Sequence, residues 1–251
     1  MSRSTRFFAA AGMALATGEP RFHADVRTFV GLPVPDPVYL QIDGPAALLY
    51  LRAPDADPEV TARLRGALDD AARVAREDAA AHPFDWAGRY YWGSLGSALL
   101  RTGTASAWRC RGDPRRAADD CAVALSSLHY ALGRNSRQFC YVTGLPGVSR
   151  GMTRGFHHWL ATLRATPRDF PGMIAGGPAR LPEPGDGSRP AGRPIPEWGY
   201  WGDPAFPRDE RTPVDGRYTD NDSWSTNEVS EEWEAQALYH LSLARWIAHA
   251  P

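Results

Sequence analysis

The chain has 251 residues, 43% of them hydrophobic, and 28 basic against 29 acidic side chains give a formal net charge of −1. At roughly 150 residues per domain this is one large or two small domains with enough apolar content for a core, and the balanced charge sets up no pull toward nucleic acid or a membrane surface. Every basic residue is Arg and none is Lys, which excludes Schiff bases, Lys general bases and phosphate-binding loops.

In chain order, Arg3 and Arg6 precede the apolar run Phe7–Ala16. Ala14-Leu15-Ala16 has the small-x-small form of a signal cleavage site. An Ala-rich helix ending at Gly18, with a second helix opening at Pro20, accounts for more of the segment through Val26. The run leaves export open. No stretch reaches the roughly 18 apolar residues of a membrane span. Pro58 opens a helix over Glu59–Ala81, with Val60, Leu64, Leu68, Ala71 and Ala75 at helical spacing. Trp92–Thr104 is a further helix. Asp113-Pro114 reads as an N-cap followed by Pro at the first position, starting a helix to Gly133. Within that helix the pair Asp119-Asp120 reads as a solvated face. Three cysteines, Cys110, Cys121 and Cys140, without a Cys-x-x-Cys, argue against a disulfide framework or zinc site while leaving room for one disulfide.

Between Pro146 and Gly216 lie 12 of the 22 prolines and 12 of the 24 glycines. These residues punctuate helices and strands, so long loops are expected there. Ser225–Ala248 is apolar nearly all round, which predicts a buried helix. The segments Gly18-Glu19-Pro20-Arg21 and Gly112-Asp113-Pro114-Arg115 echo each other at two helix junctions, as in repeated helical hairpins. The fold class expected is all-α with long decorated loops, as a single domain. Its parts are hairpin-like segments at 1–83, a helical pair at 84–145, loops at 146–224 and a C-terminal helix at 225–251.

No G-x-S-x-G, H-E-x-x-H or dinucleotide-binding glycine motif is present. Chemistry-bearing residues gather in the loops and the helix that ends them: His157-His158, Trp198, Trp201 and Trp224, and the cluster Asp220, Asp222, Glu228, Glu231 and Glu232. Indole faces beside carboxylates suit a polyol, whose CH faces stack while its hydroxyls hydrogen-bond. Ser225-x-x-Glu228 also reads as a helix capping box, in which Glu228 would reach back to the Ser225 N–H.

The stretch Tyr218-Thr219-Asp220-Asn221-Asp222-Ser223-Trp224-Ser225-Thr226-Asn227-Glu228-Val229, followed by Trp233-Glu234-Ala235, resembles the C-terminal signature of glycoside hydrolase family 9. Further matches precede it in family order. They are Trp92-Gly93-Ser94, Leu132-Gly133-Arg134-Asn135, Tyr141-Val142-Thr143-Gly144 leading to His157-His158, and Phe170-Pro171-Gly172-Met173 leading to Gly176-Gly177-Pro178. The resemblance spans about residues 84–248. It implies an (α/α)6 toroid of the six-hairpin glycosidase type, cleaving β-1,4-glucans such as cellulose with inversion. By the same resemblance Glu228 is the general acid, and His157, His158, Asp220 and Trp224 bind the sugar. No cofactor or metal is implied by any spacing here.

An inverting enzyme also needs a carboxylate base about 6.5–9.5 Å from the acid, leaving room for water. In the family this base belongs to an Asp-x-Gly-Asp motif, and these 251 residues contain none. The chain resembles the C-terminal half of such a domain, and the half that holds the base is its expected partner. Alone it is expected to be inactive. The alternative expectation is a non-catalytic carbohydrate-binding or helical interaction remnant of the family. The family's Pro-His-His-Arg reads Phe156-His157-His158-Trp159, and its Trp-Asn-Ala reads Trp233-Glu234-Ala235.

Overall fold

The computed structural model describes residues 3–30, 40–87, 90, 93–112, 117–148, 150–152, 171–179, 218–219, 223 and 226–249. Among them the regular elements are helices: α1 Arg3–Thr17, α2 Pro20–Val30, α3 Leu40–Tyr50, α4 Pro58–Ala80, α5 Ser94–Gly112, α6 Ala117–Ala131 and α7 Glu231–Ala248. A 3-10 turn covers Pro83–Asp85. Among the described residues the extended backbone includes isolated bridges of Cys140 with Gly151 and of Val142 with Ile174. The residues form two compact units, one of Met1–Ala87, Leu100–Leu125 and Ser242–Pro251, the other of Gly88–Leu99 and Ser126–Leu241.

In the first unit, α1 stops where the sequence places its stop. Gly18 adopts φ +67° and its N–H closes on the Ala14 carbonyl at 2.9 Å, the left-handed terminus that glycine reaches without a Cβ clash. Helix α2 then opens at Pro20. The small residues Ala10, Ala11 and Ala14 are buried on α1, and Phe7 joins them against Val26 and Phe29 of α2, Tyr50 of α3, and Val60, Leu64 and Leu68 of α4. Asp57 caps α4 by accepting the Glu59 and Val60 N–H groups, with Pro58 at the first position. Its buried stripe runs through Ala72 and Ala75, while Ala71 is only partly buried.

The pair Asp119-Asp120 is not wholly a solvated face. Asp119 is exposed, but Asp120 is 1% exposed and pairs with Arg76 of α4 and with Arg109 of α5, the latter at 3.6 Å. Helical geometry swings adjacent side chains about 100° apart, so one of the pair faces inward and needs cations to offset its desolvation. Beside it, Cys110 and Cys121 form a disulfide with Cα atoms 4.9 Å apart, which joins α5 to α6. The proposed helix start at Asp113-Pro114 lies outside the described residues.

The second unit holds most of α7, and two expectations change there. The helix begins at Glu231, not Ser225. Ser230 Oγ accepts the Trp233 N–H at 3.3 Å, so Ser230 does the capping. Nor is α7 buried all round: Leu238 is 65% and Leu241 47% exposed. Two polar residues take inward positions instead. Gln236 is buried with its Nε2 donating to Glu232, and buried His240 shares a hydrogen bond through Nδ1 with the Leu99 carbonyl at 2.6 Å. With these on the inner stripe beside Trp233, the extra leucines fall on the outer one.

Candidate active site

Asn135 organises the first loop of the second unit. Its buried side-chain amide donates to the Tyr130 and Phe139 carbonyls at 2.7 and 2.8 Å and accepts the Arg137 and Phe139 N–H groups. All its polar capacity goes into holding the backbone, so its role is architectural. The turn returns the chain so that the Tyr141 N–H reaches the Ala131 carbonyl at 2.8 Å. Tyr141 then stacks against Tyr130 and meets Tyr218 edge-on, with ring centroids 6.3 and 4.8 Å apart.

The segment Met173–Pro178 lies beside this loop and is held along both edges. On one edge Thr143 N–H donates to the Met173 carbonyl at 2.9 Å and Ala175 N–H to the Tyr141 carbonyl at 3.0 Å. On the other, Gly176 N–H donates to the Glu228 carbonyl at 2.8 Å and Gly177 N–H to Thr226 at 2.7 Å. The start of α5 joins in: Leu95 N–H donates to the Gly176 carbonyl, and Ser94 Oγ to the Pro178 carbonyl at 2.7 Å. Trp233 packs so closely against this backbone that a Cβ on Gly93 or Gly176 would approach its ring to 2.7 or 2.9 Å.

Five segments far apart in sequence, at 93–95, 131–135, 141–143, 173–178 and 226–233, therefore meet in one place. These are the stretches whose residue types stood out in the sequence. Glu228 lies at their junction and is 3% exposed. It sits in extended backbone ahead of α7, so the capping-box reading is overturned. The turn that delivers it is tied by Asn227 N–H to the Ser223 carbonyl at 2.8 Å and by Thr226 Oγ1 to Thr219. His157, His158, Asp220 and Trp224 lie outside the described residues. Among the described residues no group of three or more His, Cys, Asp or Glu could hold a metal ion, and no helix is long and apolar enough to cross a membrane.

One residue that the sequence marks only as a departure from the family pattern belongs here. Glu234, in the first turn of α7, accepts the Ile174 N–H through Oε1 at 2.6 Å. Burial pushes its carboxyl above the ordinary value of 4.5, and the Ile174 N–H offsets part of that rise. Its only signal in the sequence was a carboxylate where the family pattern has an amide, beside the buried Trp233.

The model of glycosyl hydrolase family 9 matches residues 4–241. Among solved structures, a metagenome-derived family 9 endoglucanase is 25% identical with a TM-score of 0.70, over 98% of this chain and 40% of its own. A thermostable endoglucanase from Alicyclobacillus acidocaldarius is 24% identical, with a TM-score of 0.70 over 98% and 43% of the two chains. A family 9 protein of Bacteroides ovatus is 21% identical, with a TM-score of 0.69 over 98% and 41%. No curated protein sequence matches. The chain spans about two fifths of the length of these solved relatives, and its all-α fold is part of the α/α toroid expected from the sequence. The chain belongs to glycosyl hydrolase family 9.

Proposed function

We propose that the chain serves the hydrolysis of β-1,4-glycosidic bonds in a glucan by inversion, with Glu228 as general acid. The observation that carries this reading is that Glu228 is buried and its carbonyl accepts the N–H of Gly176, in a segment that is itself held by Tyr141, Thr143 and the start of α5, a degree of fixation that a proton donor needs and a surface carboxylate lacks. In this mechanism Glu228 protonates the glycosidic oxygen as the bond to the anomeric carbon breaks. A water on the opposite face of the sugar attacks that carbon and gives its proton to a carboxylate base. His157, His158, Asp220 and Trp224 line the sugar subsites. These 251 residues hold no Asp-x-Gly-Asp, so the base comes from the part of a family 9 domain that has no counterpart here.

Azide separates the two roles, because it attacks an anomeric carbon without needing a base. Supplied with a cello-oligosaccharide and azide, the chain is expected to form the α-configured glycosyl azide, and the Glu228→Gln variant is expected not to. Hydrolysis without azide that the variant abolishes would place a base within the chain and overturn that part of the reading. No azide product, with oligosaccharide still bound, would favour the carbohydrate-binding remnant.

A further inference from the structure

We propose that Glu234 is a positioning residue for Glu228, acting through the Met173–Gly177 backbone; this rests on Glu228 being the acid. Along an extended segment successive N–H groups point to opposite edges. Ala175 N–H serves the Tyr141 edge, while Ile174 and Gly176 N–H serve the other. On that second edge Gly176 is paired with the Glu228 carbonyl, and the next place along, at Ile174, is filled by the Glu234 carboxylate instead of a backbone carbonyl. Glu234 thus stands in for the strand residue that would have continued the pairing.

The placement is fixed at the other end as well. Glu234 N–H donates to the Ser230 carbonyl at 3.1 Å, and Ser230 Oγ holds Trp233, whose ring lies against Gly93 and Gly176. The link from Glu228 through Ser230 to Glu234 and back through Ile174 and Gly176 is a closed loop of short contacts. Lengthening any member moves the Glu228 backbone against the segment that carries it. An acceptor at the reach of Glu234 is what the loop requires, not a negative charge as such.

The test is native-state hydrogen exchange on Glu234→Gln, which keeps an acceptor oxygen at the same reach, and Glu234→Asp, which withdraws it by one methylene. Glu234→Asp should lower the protection of both the Ile174 and Gly176 amides about tenfold while α4 amides hold theirs, and Glu234→Gln should stay within about twofold of the parent. In azide-dependent turnover, Glu234→Asp should lower kcat about tenfold with KM moving less than about twofold, and Glu234→Gln should restore it. Unchanged Gly176 protection in Glu234→Asp, or a Gln variant as impaired as the Asp variant, would overturn the proposal. If the parent chain itself forms no glycosyl azide, the acid reading fails, and the exchange result still decides whether Glu234 fixes this backbone.

Discussion

The Glu234 carboxylate and the Glu228 main-chain carbonyl accept N–H groups two residues apart, from Ile174 and Gly176, at 2.6 and 2.8 Å. A helix and the loop before it are thereby fastened to one short extended segment.

That fastening has a pH signature. Burial raises the Glu234 carboxyl above 4.5, so the folded protein binds its proton more tightly than the unfolded chain. Its contribution to stability is full below the unfolded value and is lost as pH rises through the folded one. Urea unfolding of the parent and Glu234→Gln across pH 4 to 8 should find the parent losing ground to the variant as pH rises. A parent that gains ground would contradict the burial argument.

Asp120 should be the costliest carboxylate to remove from the first unit. It is buried, while Arg76 and Arg109 keep about a third and a quarter of their side-chain surface in solvent. Breaking a fully buried pair costs roughly 3–5 kcal/mol; with arginines that can rehydrate, Asp120→Ala should cost about 2–3 kcal/mol. Asp119→Ala, on the exposed side, should stay within about 0.5 kcal/mol. Equal effects in chemical denaturation would return the pair to a solvated face.

The close approach of Trp233 makes Gly176 intolerant of a side chain. A Cβ there would stand 2.9 Å from the ring and 3.5 Å from the Gly93 nitrogen, and relief by moving the ring would disturb its contact with Gly93. Gly176→Ala should lose about 1–3 kcal/mol, the ordinary cost of overpacking. Gly66 of α4 has open space around it, and Gly66→Ala should be neutral or stabilising by up to about 1 kcal/mol.

The cysteines should divide in a thiol titration. With Cys110 and Cys121 bonded and Cys140 buried, the native protein should react slowly or not at all. Denaturation without reductant should release one thiol, and denaturation after reduction should release three. Closing a loop across the 11-residue separation of the bond stabilises by about 2–3 kcal/mol in the chain-entropy model, so reductant should lower Tm. Three thiols released without reductant would contradict the bond.

Much of this was legible in the sequence because it rests on local backbone chemistry. Gly18 and Pro20 mark a helix junction by their conformational limits alone, and Pro58 marks the start of α4 the same way. Asn135 could be read as a turn residue because it follows Gly133 at a helix end. What local chemistry could not reveal is which side of a helix another element covers. Asp120 looked solvated because its arginine partners are 44 and 11 positions away. Leu238 and Leu241 looked buried because nothing in α7 announces that His240 would take the inner stripe by bonding Leu99. Glu228 could be read as the carboxylate of a capping box because its spacing from Ser225 fits one, whereas its pairing with Gly176 depends on a segment about fifty residues earlier. Glu234 could be read only as a departure from the family pattern for the same reason, since its partner Ile174 is 60 residues away.

Protonation of a leaving sugar by Glu228 would show itself as a dependence of rate on the leaving group. Azide-dependent cleavage should be compared for a cello-oligosaccharide, whose leaving alkoxide needs a proton, and for 2,4-dinitrophenyl cellobioside, whose leaving group does not. If Glu228 is the acid, Glu228→Gln should lower the first by about 10²–10⁴-fold and leave the second within about tenfold. Equal losses on both substrates, or no loss on either, would contradict the assignment.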